Sequence, residues 1–126
     1  MSVRALLDSH ALLWTLADDP KLSDTARAVI VDEENEVFYS PVSLYELLFK
    51  ATRGRMPEAT HLLEAVGDSG LDELGLSARH LVRAARFDWE HGEPWDRILL
   101  AQAIQEDLNL VSIDKVFDGQ TDRRVW

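Results

Sequence analysis

Apolar residues fall in short blocks separated by polar breaks, and the spacing within the blocks alternates between strand-like and helix-like. Val3 to Leu7 is a short apolar run that ends in Asp8 and reads as a buried strand. His10 to Ala17 follows as a helix with Ala11, Leu12, Leu13, Trp14 and Leu16 apolar, and Asp18-Asp19-Pro20 breaks it. Ser23 is a suitable N-cap for a second helix to about Asp32, and Val37-Phe38-Tyr39 reads as a second strand. Ser40-Pro41 is an N-cap followed by proline at the first helical position, and the helix it opens stops at Gly54. The pattern then predicts a helix from Pro57 to about Val66 and a strand from Leu71 to Leu76. Ser77 caps a helix to about Arg86, and Phe87 to Pro94 is a loop. A helix that is apolar almost all round follows from Trp95 to about Asp107. Leu110 to Ile113 is a fourth strand ending at Asp114, and Arg124 to Trp126 a short fifth.

Strands that alternate with helices and are apolar along their whole length belong to a parallel sheet covered on both faces. The expected fold is α/β, a three-layer α/β/α arrangement around a mostly parallel sheet of about five strands. No repeat, linker or low-complexity segment divides the chain, so residues 1–126 are expected to form a single domain.

Composition adds two constraints. There is no cysteine, so no disulfide and no thiolate chemistry is available, which suits a reducing cytoplasm. The opening residues do not read as a signal peptide, and no apolar stretch approaches ~18 residues, so a soluble protein without a membrane span is expected. The net charge of −10 runs against a nucleic-acid partner, since phosphate binding is driven by lysine and arginine. A bound divalent cation would offset that charge locally, and a basic protein partner could use an acidic surface.

Open parallel sheets bind ligands beyond the carboxyl ends of their strands. Asp8 and Asp114 directly follow the first and fourth strands, Glu46 lies on the helix after the second, and Asp96 sits in the first turn of the apolar helix. Each has an ordinary structural explanation. Asp8 and Asp114 fit N-caps, Asp96 complements a helix dipole, and Glu46 fits a solvated helix acid. Together, all four could converge on one sheet edge, where mutual repulsion would raise their pKa values unless a cation bound among them. An oxygen-only set favours Mg2+ or Mn2+ over zinc. Such an ion activates water against a phosphodiester, and the expected reaction is RNA hydrolysis leaving a 5′-phosphate and a 3′-hydroxyl. The sequence leaves open whether one ion or two bind.

The run Leu6-Leu7-Asp8-Ser9-His10-Ala11-Leu12-Leu13-Trp14 resembles the opening of VapC-like PIN domains. So do Ser40-Pro41-Val42-Ser43-Leu44-Tyr45-Glu46, the stretch from Glu93 through Asp96-Arg97 to Ala103, Leu110-Val111-Ser112-Ile113-Asp114, and the Val125-Trp126 ending. The motifs occur in order over essentially the whole chain. The resemblance implies a five-stranded parallel sheet, a catalytic acidic site binding Mg2+ or Mn2+, RNA cleavage, a homodimer and inhibition by a cognate antitoxin. By position it makes Asp8, Glu46, Asp96 and Asp114 the metal-binding acids and Ser112 the hydroxyl residue that supports the last of them. Ser9 stands where threonine is common, and Glu93 where aspartate is frequent.

Lys50, Arg53 and Arg55 are candidate phosphate contacts, although cations also suit the end of a helix closed by Gly54. Arg97 either orients Asp96 or forms a surface pair. His10 borders Asp8 in sequence, and His10, His61, His80 and His91 show no metal-ligand spacing. Trp14, Trp89, Trp95 and Trp126 fit a core as well as a base-stacking role, and the Tyr45, Leu48, Phe49 stripe fits a core or dimer surface. Two other functions compete with the nuclease. One is a catalytically silent PIN-like binding module. The other is a phosphoacceptor signalling domain, which needs paired acids and a strand-end lysine, for which Lys115 is the only candidate.

Overall fold

The computed structural model describes residues 2–55 and 61–126. The order of elements is β1 Arg4–Leu7, α1 Ser9–Leu16, α2 Asp24–Val31, β2 Glu36–Tyr39, α3 Pro41–Thr52, α4 Leu62–Asp68, β3 Asp72–Glu73, α5 Ala78–Arg86, α6 Pro94–Gln105, β4 Asn109–Val111 and β5 Arg124–Val125. A 3₁₀ turn, Lys115–Gly119, links β4 to β5. The sheet order is β3-β2-β1-β4-β5, with every pairing parallel. The chain fills one wing of the sheet, β1 to β3, and then returns through α5 and α6 to build the other beside β1. The strand order therefore reverses between β1 and β4, the position at which such sheets open a ligand crevice.

Two cores flank the sheet, and the alternation of side chains along each strand divides residues between them. Ala5 and Leu7 of β1 join Val37, Leu12, Leu47 and Val111 on one face. Leu6 faces the other way and joins Leu99, Leu100, Ala103, Leu110 and Phe117. Helices α1, α3 and α4 pack together on the first face and α5 with α6 on the second, which gives the expected three layers.

Helix boundaries follow local chemistry. Asp8 caps α1, its Oδ1 accepting from the Ala11 N–H at 2.8 Å. Ser40 caps α3 through the Val42 N–H at 3.2 Å. Gly54, at φ +72°, closes α3 with hydrogen bonds from Gly54 and Arg55 N–H to the Ala51 and Lys50 carbonyls, the stop expected of glycine there.

Several boundaries differ from the sequence reading. The strand expected over Leu71 to Leu76 is only Asp72–Glu73, an edge strand whose two acids are exposed. Ile113 lies past the end of β4 and is exposed, because β4 ends where its pairing with β1 ends, at Val111. Helix α6 begins at Pro94 and stops at Gln105 because Asp107 turns left-handed at φ +57°. The Leu108 N–H then bonds the Ala103 carbonyl, closing the helix and burying Leu108. The start of the helix expected from Pro57 falls outside the described residues; its described part is α4. Among the described residues no helix is long and apolar enough to cross a membrane.

Candidate active site

Asp8, Glu46, Asp96 and Asp114 arrive from four elements and line one cleft of about 570 Å3 at the carboxyl ends of β1 and β4. Asp8 leaves the end of β1 and is buried, and Glu46, on the second turn of α3, is buried beside it. Asp96 lies half-buried in the first turn of α6, and Asp114 is exposed beyond β4.

Each acid is held by a different partner. Ser9 Oγ donates to Glu46 Oε1 at 2.5 Å, and Lys50 Nζ donates to Oε2 of the same carboxylate at 2.6 Å. His91 Nε2 meets Asp96 Oδ2 at 2.6 Å. Ser112 is fully buried beneath the cleft. Its Oγ accepts from the Asp114 N–H at 3.0 Å, and its hydroxyl stabilises the Asp8 carboxylate. Asp114 Oδ1 in turn accepts from the Val116 N–H at 3.0 Å and starts the 3₁₀ turn.

Crowding these acids has an electrostatic cost. Burial pushes the Asp8 carboxyl up to about 6, and the nearby Asp96 and Glu46 charges add to the rise, while the Ser112 hydroxyl and the Ala11 N–H oppose it. Asp96 is also raised, first by burial and then by Glu46 and Asp114, against the contact with His91. Among the described residues, no three acidic, histidine or cysteine side chains lie close enough together to enclose one ion.

The remaining candidates separate. Lys50 and Arg55 line the cleft, as do His10 and Glu93. Arg53 does not. Its guanidinium lies 3.5 Å from the centre of the Phe49 ring, and it donates to the Phe49 carbonyl. His80 is buried in α5, and His61 stands at the start of α4. The tryptophans lie outside the cleft lining, in aromatic pairs such as Trp14 with Trp126, Trp89 with Phe117 and Trp95 with Tyr45. Lys115 sits exposed on the 3₁₀ turn and outside the lining, which removes the lysine a phosphoacceptor site requires.

The sequence reading missed His91. It precedes Asp96 by five residues in an irregular loop, a spacing with no periodic signal. What places it is Arg97, which points back along the loop and donates to the carbonyls of Ala84, Phe87, Trp89 and His91 at 2.6 to 3.2 Å. Neither expected role for Arg97, orienting Asp96 directly or pairing at the surface, is the one observed.

A three-layer parallel fold with an acidic cleft at its switch point defines a class of α/β domains that carry a carboxylate-lined crevice at the sheet edge. Comparison narrows the class. The family described as PIN domain matches residues 5–120, and the chain belongs to that family. Comparison with curated proteins finds none that matches in sequence. Among solved structures, VapBC2 from Rickettsia felis, bound to a DNA fragment from its promoter, is similar at TM-score 0.68 and 16% identity, over 93% of this chain and 92% of that one. A toxin–antitoxin complex from Klebsiella pneumoniae matches at TM-score 0.66 and 19% identity, over 97% and 96% of the two chains. Mycobacterium tuberculosis VapC20, a sarcin–ricin loop cleaving toxin, matches at TM-score 0.66 and 16% identity, over 91% and 93%. The fold is thus that of VapC-type toxins.

Proposed function

We propose that this PIN domain, residues 1–126 acting as one unit, is a metal-dependent endoribonuclease and the toxin of a VapBC-like pair. The observation that carries the reading is the convergence of Asp8, Glu46, Asp96 and Asp114 from four separate elements on one cleft. The donor set fits a hard cation: it is all oxygen, and the raised Asp8 and Asp96 carboxyls mark a place where negative charge lacks compensation. Asp8, Glu46, Asp96 and Asp114 would hold the ion, with water completing its shell. Mg2+, with Mn2+ as a substitute, supplies Lewis acidity and an activated water for phosphodiester hydrolysis.

The chain's own residues do the rest. Ser112 and the Ala11 N–H orient Asp8, Ser9 orients Glu46, and His91 orients Asp96. Lys50 and Arg55 on the cleft wall would attract the RNA phosphate, whereas Arg53 lies over the Phe49 ring and outside the cleft lining. The products are a 5′-phosphate and a 3′-hydroxyl.

The partners follow from the same reading. An acidic surface, net −10, suits a basic antitoxin, and two of the similar structures are toxin–antitoxin assemblies. Tyr45, more than half exposed in a cluster with Phe49 and Trp95, suits a homodimer contact. The cytoplasm, where the RNA is, is the expected compartment. One observation favours a catalytically silent module instead: Lys50 and His91 already occupy Glu46 and Asp96.

Incubating total cellular RNA with the protein in Mn2+, in EDTA, and with Asp96→Asn separates the two. The nuclease reading requires discrete fragments in the first reaction only. Cleavage that survives both EDTA and the substitution refutes it, and no cleavage together with no stabilisation by Mn2+ favours the silent module.

A further inference from the structure

A second cavity, of about 590 Å3, lies along α5 on the opposite face of the sheet from α1 and α3, and it belongs to no part of the acidic cleft. Arg79, Arg83 and Arg86 line it together with Val82, Phe87 and Gln105, and no acid does. The three arginines sit at positions i, i+4 and i+7 of one helix. They therefore share a face and span about 10 Å along it.

These cations are uncommitted, whereas six others are engaged elsewhere in the fold. The chain has 13 lysines and arginines against 23 acids. Arg4, Arg27, Lys50, Arg123 and Arg124 are paired with carboxylates, and Arg97 is occupied by four carbonyls. Among the described residues no carboxylate pairs with Arg79, Arg83 or Arg86. Arg83 gives only its Nε–H, to Gln105 Oε1 at 3.0 Å, which keeps the rest of its fork available. Three like charges on one helix face repel each other, and a polyanion relieves that repulsion.

The groove and the cleft draw on neighbouring stretches of chain: Arg86 and Phe87 line the groove, and four residues further along the chain His91 lines the acidic site. The intervening loop is pinned to α6 by Arg97, so the two features are fixed relative to each other.

We infer that the α5 groove is a docking rail for the sugar–phosphate backbone of RNA, outside the acidic cleft and recognising phosphate rather than base. This rests on the nuclease reading. Phosphate is taken over the carboxylates of a protein partner because RNA is the proposed substrate of the same chain and three guanidinium forks in a row along one helix face suit a regularly charged backbone. It also explains how a chain of net −10 retains a polyanion: the cations needed are concentrated on one face.

The test is binding of a fluorescent single-stranded RNA to the full chain in EDTA, measured by anisotropy over a salt series. Replacing Arg79, Arg83 and Arg86 together by glutamine should weaken binding about ten- to hundredfold. It should also lower the salt slope by about 2, at roughly 0.7 per phosphate contact for a single strand. A control triple, Arg4→Gln with Lys21→Gln and Arg27→Gln, removes equal charge elsewhere and should leave the slope unchanged. Equal losses in the two triples, an unchanged groove variant, or no RNA binding by the wild-type chain each overturn the rail. So does groove-dependent binding of a glutamate-rich peptide with RNA binding unaffected. Should the groove triple fail to fold, protection of the three arginines from phenylglyoxal by RNA in the wild-type chain tests the same contact, and its absence overturns the proposal. Metal-dependent cleavage by wild-type protein is measured separately. Wild-type cleavage with unchanged RNA affinity in the groove variant rejects the rail alone, and absence of cleavage by the wild-type chain rejects the nuclease reading.

Discussion

Asp8→Asn isolates the electrostatic cost of assembling the cleft. Asp8 is 6% exposed, and its carboxyl is displaced from 3.8 to about 6. The native state therefore holds a proton that the unfolded chain releases. This contribution to stability is fully present below about pH 4, declines as pH rises through about 6, and is absent at pH 7.5. At ~1.4 kcal/mol for each pH unit of displacement, the ionised Asp8 costs the folded protein about 3 kcal/mol at neutral pH. Asparagine never ionises, and its side-chain oxygen still caps α1 through the Ala11 N–H. The variant should therefore be more stable than wild type by up to about 3 kcal/mol at pH 7.5 in EDTA, and of nearly equal stability at pH 4. Urea unfolding followed by the four tryptophans, at steps from pH 4 to pH 8, measures the difference, and pH effects common to both proteins cancel. With Mn2+ at a hundred times its Kd, wild type should recover about 2.7 kcal/mol while the variant gains less. A variant less stable than wild type at pH 7.5 in EDTA, or a difference that does not vary with pH, refutes the reasoning.

Other outcomes follow from the same contacts. Arg97→Lys leaves most of four carbonyls without their donor, so it should cost about 2–4 kcal/mol and speed amide exchange across residues 87–93 more than in β1. Lys50→Gln removes the cation from the buried Glu46 carboxylate, and in EDTA it should lower stability by about 1–3 kcal/mol in a melt at pH 7.5. Leu100→Ala empties a fully buried position in the core beneath α6 and should cost about 2–5 kcal/mol by urea unfolding, with the metal response retained.

Much of the fold was legible because its signals are local. Ser40, Pro41 and Gly54 mark the limits of α3 by cap chemistry, and the apolar run before Asp8 marks β1. Elements fixed by tertiary pairing were less legible. β3 is short because only Phe38 and Tyr39 of β2 are there to pair with it, and neither its composition nor its spacing encodes that limit. The acids were legible from their positions just past a strand or early in the next helix, since the geometry of a parallel sheet turns such a position into a place in space. His91 and the α5 groove carry no such signal. One depends on an irregular loop held from a distance, and the other on which arginines remain unpaired after folding, a property of the whole charge distribution.

Arg97 anchors the loop at the cleft's edge by its carbonyl oxygens, a feature that every amino acid carries. The grip is indifferent to the residue types at Asp88, Glu90 and Gly92, all three of which are exposed. The loop's shape is thereby separated from its sequence. Those three positions can be exchanged for other residues while His91 stays on Asp96, so the surface at the mouth of the cleft can be rewritten without rebuilding the site beneath it.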